Sequence, residues 1–255
     1  MNIFKLSRTD MVRLLYSLKG QGEHSPLDIL VQSANMSAEK AANHLEIPEF
    51  LTRYERKKQK KEYGLSTNEI VELGNLCELT SLKSTAIQNW VKRDIKDLIG
   101  HPELGKKYSV EQAVILLIVR DLKSIYDFEH IRAILKVAFN TISDRSDDVI
   151  SPIAYYESCA YVLDAIHHQD TPSMKESNLQ EIAEQETERL RHRFEELNDG
   201  QWLKIRQIIA ITVLSILTFH IQATAHKMTA DILKSASPRL RGRGFIFLHN
   251  NCQHK

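Results

Sequence analysis

Four blocks between Ser66 and Val137 place their apolar residues three and four apart, and three of the four open on a side chain that caps helices. Ser66 stands three residues before Glu69, and Ser109 three before Gln112. At that spacing each side chain satisfies the other's free backbone N–H. Asp127 is a single N-cap ahead of "FEHIRAILKVAF". The first block carries Ile70, Val71, Leu73 and Leu76. The second, "LKSTAIQNWVKRDI", carries Leu82, Ala86, Ile87, Trp90, Val91 and Ile95. Only nine Gly and six Pro occur in 255 residues, and strand-like alternation is hard to find. The expected fold class is mainly all-α.

Outside these blocks the pattern is looser. A short helix is expected from Thr9 to Lys19, then a Gly/Ser/Pro turn region ending near Pro26. Ser37 opens a further helix that Pro48 stops. The stretch Leu51 to Gly64 holds six Lys/Arg against two Glu. It reads either as solvated helix surface or as a phosphate-contacting arm. Beyond a polar break at "TISDRSDDVISP" come the amphipathic "IAYYESCAYVLDAIHH", a polar linker, and an acidic segment. Asp170 to Asp199 holds nine acids and four Lys/Arg. A long apolar helix from Trp202 to Thr224 runs on through "AHKMTADILK". Its run Ile208 to Phe219 is about a dozen residues, short of the roughly 20 that span a bilayer, so burial in a bundle or dimer interface is expected over a membrane anchor. The expected organisation is an N-terminal helical extension (1–50), a central domain (51–140), a helical oligomerisation or effector region (150–234) and a disordered tail (235–255).

Chemistry concentrates in the second block. Two short helices joined by a tight turn, Asn68 to Cys77 and Leu82 to Ile95, have the helix-turn-helix layout. If the second buries its apolar face, its other face presents Ser84, Thr85, Gln88, Asn89 and Lys92. Gln and Asn can pair bidentately with adenine, and Ser or Thr with base or backbone. Lys92, Arg93, Lys96, Lys106 and Lys107 are candidates for phosphate contact. The bland alternative is an ordinary amphipathic helix whose outer face is merely solvated. Net charge is only +1, so a nucleic-acid surface requires local segregation of cations.

The segment "STNEIVELGNLCELTSLKSTAIQNWVKRDI", with "GKKYS", "VEQAVILLIVRDLKSIY" and "DFEHIRAIL", resembles the MerR-type winged helix-turn-helix domain over roughly Ser66 to Val137. More closely it is similar to a MerR-like bacterial family of unknown function. The resemblance places Ile87 and Trp90 at buried positions, Lys107, Tyr108 and Ser109 at the closing residues of a wing, and Glu129, Ile131 and Leu135 on the last helix. Gln88–Asn89, Val91 and Asp94 depart from the family pattern. The resemblance implies a dimeric transcription regulator that binds double-stranded DNA, with Tyr108 joining the contact set and a helical region after Ile150 for dimerisation or for an unknown small-molecule effector. Tyr155, Tyr156, Tyr161 and His167–His168 are candidates to line an effector cavity, against the alternative that a tyrosine stripe is core.

The chain carries no Walker A loop, GxGxxG, HExxH or GxSxG, and its adjacent acid pairs (Asp147–Asp148, Glu195–Glu196) do not face one another on a helix. No enzyme, cofactor or metal is expected. His249, Cys252 and His254 fit no structural zinc spacing. Three scattered cysteines and the lack of an apolar leader in "MNIFKLSRTDMVRLLYSLKG" point to the cytoplasm and away from the membrane. The competing expectation is a non-enzymatic protein-interaction module, membrane-associated through residues 208–219. The two readings diverge on Arg53, Lys57, Lys58, Lys92, Arg93, Lys106 and Lys107. Clustered beside Gln88 and Asn89 they favour DNA; scattered, they favour a protein partner.

Overall fold

The computed structural model describes residues 4–36, 45–56, 61–78, 80–140, 145–168 and 176–235. The helix expected from Ser37, Lys57 and Lys58, the linker at 171–175 and the tail with His249, Cys252 and His254 lie outside the described residues. The chain divides into two units, Met1–Phe219 and His220–Lys255.

Helices make up the first unit: α1 (Arg8–Leu18), α2 (Pro26–Ser33), α3 (Glu49–Arg56), α4 (Thr67–Leu76), α5 (Ser84–Asn89), α6 (Lys96–Ile99), α7 (Val110–Leu122), α8 (Phe128–Phe139), α9 (Pro152–His167), α10 (Glu176–Glu188) and most of α11 (Asp199–Ser235). The all-α expectation holds: among the described residues no strand forms, only isolated bridges. Helix α7 explains the arrangement. Its sequence VEQAVILLIVRDL is apolar on every side, and all its residues except Glu111 are buried. A helix without a polar face must sit at the centre. Helices α6 and α9 pack on it, and α9 in turn carries α1 and α10.

Helix α1, within residues 1–50, supplies a buried Arg8 to the core of the first unit. The Arg8 guanidinium donates to both carboxylate oxygens of Asp121 on α7, at 2.7 and 2.8 Å, and to the Tyr156 hydroxyl on α9 at 3.4 Å. Burial alone would lower the Arg8 pKa, but the Asp121 carboxylate drives it well above its ordinary value. A charge so buried is tolerable only with such a partner. Of the tyrosine stripe, Tyr155 and Tyr156 are core, the alternative set against an effector cavity. Tyr155 is fully buried, its hydroxyl 2.9 Å from the Ile208 carbonyl and 2.5 Å from Thr212 Oγ1, while Tyr156 is 3% exposed. Tyr161, His167 and His168 are exposed, so these five residues line no common cavity.

The apolar run of α11 is core within the first unit. Ile208, Ile209, Ala210, Val213 and Ile216 are buried, and the remaining positions to Phe219 are buried or half-buried. The helix is long and apolar enough to cross a membrane by length and composition. Within that helix, residues 208–219 are the part whose side chains are buried or half-buried in the first unit. Cys77 and Cys159 are buried free thiols, and no metal-holding cluster occurs among the described residues.

Candidate nucleic-acid interface

Helix α4 begins where its sequence predicts. Ser66 Oγ accepts from the Glu69 N–H, and Glu69 Oε2 accepts from the Ser66 N–H, the complete capping box. Gly74 then brings the next segment close. A Cβ there would collide with the Leu82 side chain and come within 3.0 Å of Leu117 Cδ2. Asn75 clamps the same segment. Its Oδ1 accepts from the Leu82 N–H at 2.7 Å and its Nδ2 donates to the Leu82 carbonyl at 3.1 Å. Residue Leu6 pins the turn from the other side, donating to the Leu76 carbonyl and accepting from the Glu78 N–H.

With both backbone groups of Leu82 held by Asn75, α5 starts at Ser84 rather than at Leu82. It is also shorter than its apolar period suggests. Trp90–Asp94 form a π-helical turn, closed by the Ile95 N–H on the Trp90 carbonyl at 2.9 Å. Arg132 on α8 draws off the Asp94 carbonyl. Ile87 and Ile95 are buried and Trp90 is half-buried, its ring edge-on to Phe128 at 6.1 Å. The wider turn lets Trp90 and Ile95, five residues apart, both face inward.

The expected wing is corrected to a tight turn. Leu104 and Lys107 exchange backbone bonds at 3.0 and 3.2 Å around Gly105, whose φ of +70° suits glycine. Leu65 and Tyr108 form a separate bridge. No hairpin arms develop because the neighbouring backbone is held elsewhere. The fully buried Gln112 donates to the carbonyls of Ile99 and His101, both at 2.7 Å, and accepts from the N–H groups of Ser109 and Glu103.

The candidate residues fall into two groups. Thr85, Gln88, Asn89, Lys92, Arg93 and Lys96 are exposed along one continuous segment, with Ser84 half-buried at its start. Ser84 Oγ donates to Asn68 Oδ1 at 2.8 Å and accepts from Gln88 Nε2 at 3.4 Å, so the polar ridge continues onto α4 through Asn68. Asn68 and the exposed Lys83 were not singled out from the sequence. Asn68 lies on the first block and Lys83 beside the apolar Leu82, and neither carries a sequence signal beyond being polar. Lys106 is exposed at the Leu104–Lys107 turn. Lys107 and Tyr108 are half-buried and differently employed. Lys107 Nζ lies 3.1 Å from Glu69 Oε2 and 5.1 Å over the Tyr63 ring. Arg53 reaches the same Glu69 at 3.0 Å, and the Tyr63 hydroxyl donates to it at 3.0 Å. Burial would raise the Glu69 carboxyl, but hydrogen bonds from Ser66, Lys107 and Tyr63 hold it below the ordinary value. Burial, reinforced by Glu69, pushes the Tyr63 phenol up to about 12. Burial likewise raises the Tyr108 phenol.

The cationic set named as the discriminator therefore divides. Arg53 and Lys107 converge on Glu69. Lys92, Arg93, Lys96 and Lys106 make no ion pair among the described residues.

Residues 42–159 match the family model described as a domain of unknown function, DUF1836. The chain is 99% identical over 233 residues to the "Uncharacterized protein YkrK" of Bacillus subtilis (strain 168), covering 91% of this chain and all of that protein. No solved structure matches. These findings overturn the MerR resemblance. Its departures at Gln88–Asn89, Val91 and Asp94 fall in or beside the π-helical turn, and its strands are absent among the described residues.

Proposed function

The chain belongs to the family of YkrK, whose name states no activity, and from its residues we propose that it is a non-enzymatic protein that binds double-stranded DNA with sequence preference through α4 and α5. One observation carries this reading. The segment Ser84 to Lys96 buries its apolar side in the core and turns amides, a hydroxyl and three cations, without an ion pair among the described residues, to solvent. An α-helix fits the major groove, about 12 Å wide, and amides there can read adenine while cations contact phosphate. The clamps on Leu82 and the packing of Trp90 support the same reading, since a reading helix must be held rigidly to set register. Asn68 and Ser84 extend the ridge, and Lys106 is a further exposed cation, on the Leu104–Lys107 turn. The proposed role is transcriptional regulation, in the cytoplasm.

Selection of bound sites from random duplexes tests this directly. The wild type is expected to enrich a motif. Gln88→Ala and Asn89→Ala are expected to relax one or two positions in it, each by about 1–3 kcal/mol of discrimination. Lys92→Ala is expected to weaken every sequence alike. Equal loss on all duplexes for all three variants counts against base reading by α5. The neutralisation of Arg53 and Lys107 favours a second reading, a protein-interaction module on the same fold. Failure to enrich any duplex while the chain stays folded would favour that reading.

A further inference from the structure

Ser84 stands one place past Lys83, the N-cap of α5, and that helix has no side-chain cap. The Ser84 hydroxyl is spent instead on two amides. It donates to Asn68 Oδ1 on α4 at 2.8 Å, and Gln88, one turn further along α5, donates to it from Nε2 at 3.4 Å. We propose that Asn68 and Ser84 are positioning residues that fix which way the Gln88 amide faces, so that the chain selects adenine on one strand of its duplex over adenine on the other. The proposal rests on the DNA reading above and extends it by assigning the strand.

A serine hydroxyl carries one proton. Given to Asn68, it leaves only lone pairs for Gln88, which must therefore turn its nitrogen toward Ser84 and its oxygen away. The amide then presents an acceptor and one N–H in a set order along the ridge. Adenine offers the complementary pair at its major-groove edge, the N6 donor and the N7 acceptor. In an A·T pair and in its T·A reversal those two groups lie in opposite order across the groove. An amide of fixed facing suits one of them, and a freely turning amide suits both. Both ends of the relay are held. The Ser66–Glu69 capping box sets the first turn of α4, where Asn68 stands, and Asn75 clamps Leu82 two residues before Ser84. Asn89 gives the contrast. Exposed beside Gln88, its side chain makes no hydrogen bond among the described residues, so no relay sets its facing there.

Competition binding of the full chain to duplexes that differ only by A·T against T·A, at the position that Gln88→Ala relaxes in the selected motif, tests the proposal. The wild type is expected to prefer one orientation by about fivefold or more. Ser84→Ala removes the hydroxyl, and Asn68→Ala frees its proton for the Gln88 oxygen. Each is expected to bring the ratio below about twofold, to keep the preference for either over G·C, and to leave the position read by Asn89 unchanged. Ser84→Thr keeps the hydroxyl and is expected to restore the ratio. Ser84→Ala combined with Gln88→Ala is expected to relax that position no further than Gln88→Ala alone. Helicity and thermal midpoint are expected to stay unchanged throughout, since Asn68 and Gln88 are exposed and Ser84 is half-buried. A ratio held at the wild-type level in Ser84→Ala or Asn68→Ala overturns the proposal. So does relaxation of a different position by either variant, or indifference of the wild type to orientation. Absence of any selected motif would sink the DNA reading as well, whereas a clear wild-type motif that both variants leave unmoved sinks the relay alone.

Discussion

Arg53 and Lys107 differ from Lys92, Arg93 and Lys96 in what their charge meets. The first pair meets one buried carboxylate, Glu69, and with Tyr63 ties α3, the Leu104–Lys107 turn and the start of α4 together. The second set ends in solvent beside two exposed amides. In sequence the two groups look alike: basic residues near a short amphipathic helix. The difference teaches that a cation is evidence for an anionic partner outside the molecule only when no carboxylate inside it has already claimed the charge.

Substitutions that separate structural cations from free ones can break this contrast. The largest effect is expected where the charge is most deeply engaged. Asp121→Ala strands Arg8 in the core and is expected to lower unfolding stability by about 3–5 kcal/mol, measured by urea melts. A loss within 1 kcal/mol would mean that Arg8 finds water.

Glu69→Ala removes the reciprocal cap and the anchor of Arg53 and Lys107 together. A loss of about 2–3 kcal/mol is expected at neutral pH. Because the folded Glu69 carboxyl is held below its ordinary value, its contribution is present above the unfolded pKa and disappears as pH falls through the folded one. Wild type and variant melts should therefore converge in acid. A gap that persists there would assign the loss to packing rather than charge.

The free set should behave in the opposite way. Lys92→Ala, Arg93→Ala and Lys96→Ala combined are expected to leave stability within about 0.5 kcal/mol while weakening duplex binding at fixed salt by roughly tenfold or more. The smallest effect sharpens the contrast most. Lys107→Met is expected to cost under about 1 kcal/mol of stability and to leave the salt dependence of duplex binding unchanged. A reduced salt dependence would show that Lys107 leaves Glu69 to meet phosphate.

Local features were legible in the sequence. Ser66 with Glu69, Ser109 with Gln112, and Asp127 act at three-residue spacing, and all three caps form as their spacing predicts. The features that shape the candidate site join residues whose pairing helical periodicity does not encode, at separations from seven to more than a hundred positions. Asn75, seven residues from Leu82, looks like any polar residue on a helix, yet it sets where α5 begins. Arg132 and Phe128 on α8 accompany the π-helical turn that ends α5 early. Glu69 meets Lys107 across 38 positions, and Arg8 meets Asp121 across 113. Periodicity reports which face of a helix is apolar. It does not report which carboxylate a lysine will find. The two halves of α11 carry the same lesson: Ile209 and Ile216 are core, whereas Ile221 and Ile232, equally apolar, are exposed.

The claim that the ridge from Ser84 to Lys96 meets a duplex is tested most directly by retardation of mixed genomic fragments across a salt series. Affinity is expected to fall linearly on logarithmic axes, with the Lys92, Arg93 and Lys96 triple variant losing about three units of slope. Absence of any retarded species in dilute buffer, or a slope that the triple variant shares with the wild type, would contradict it.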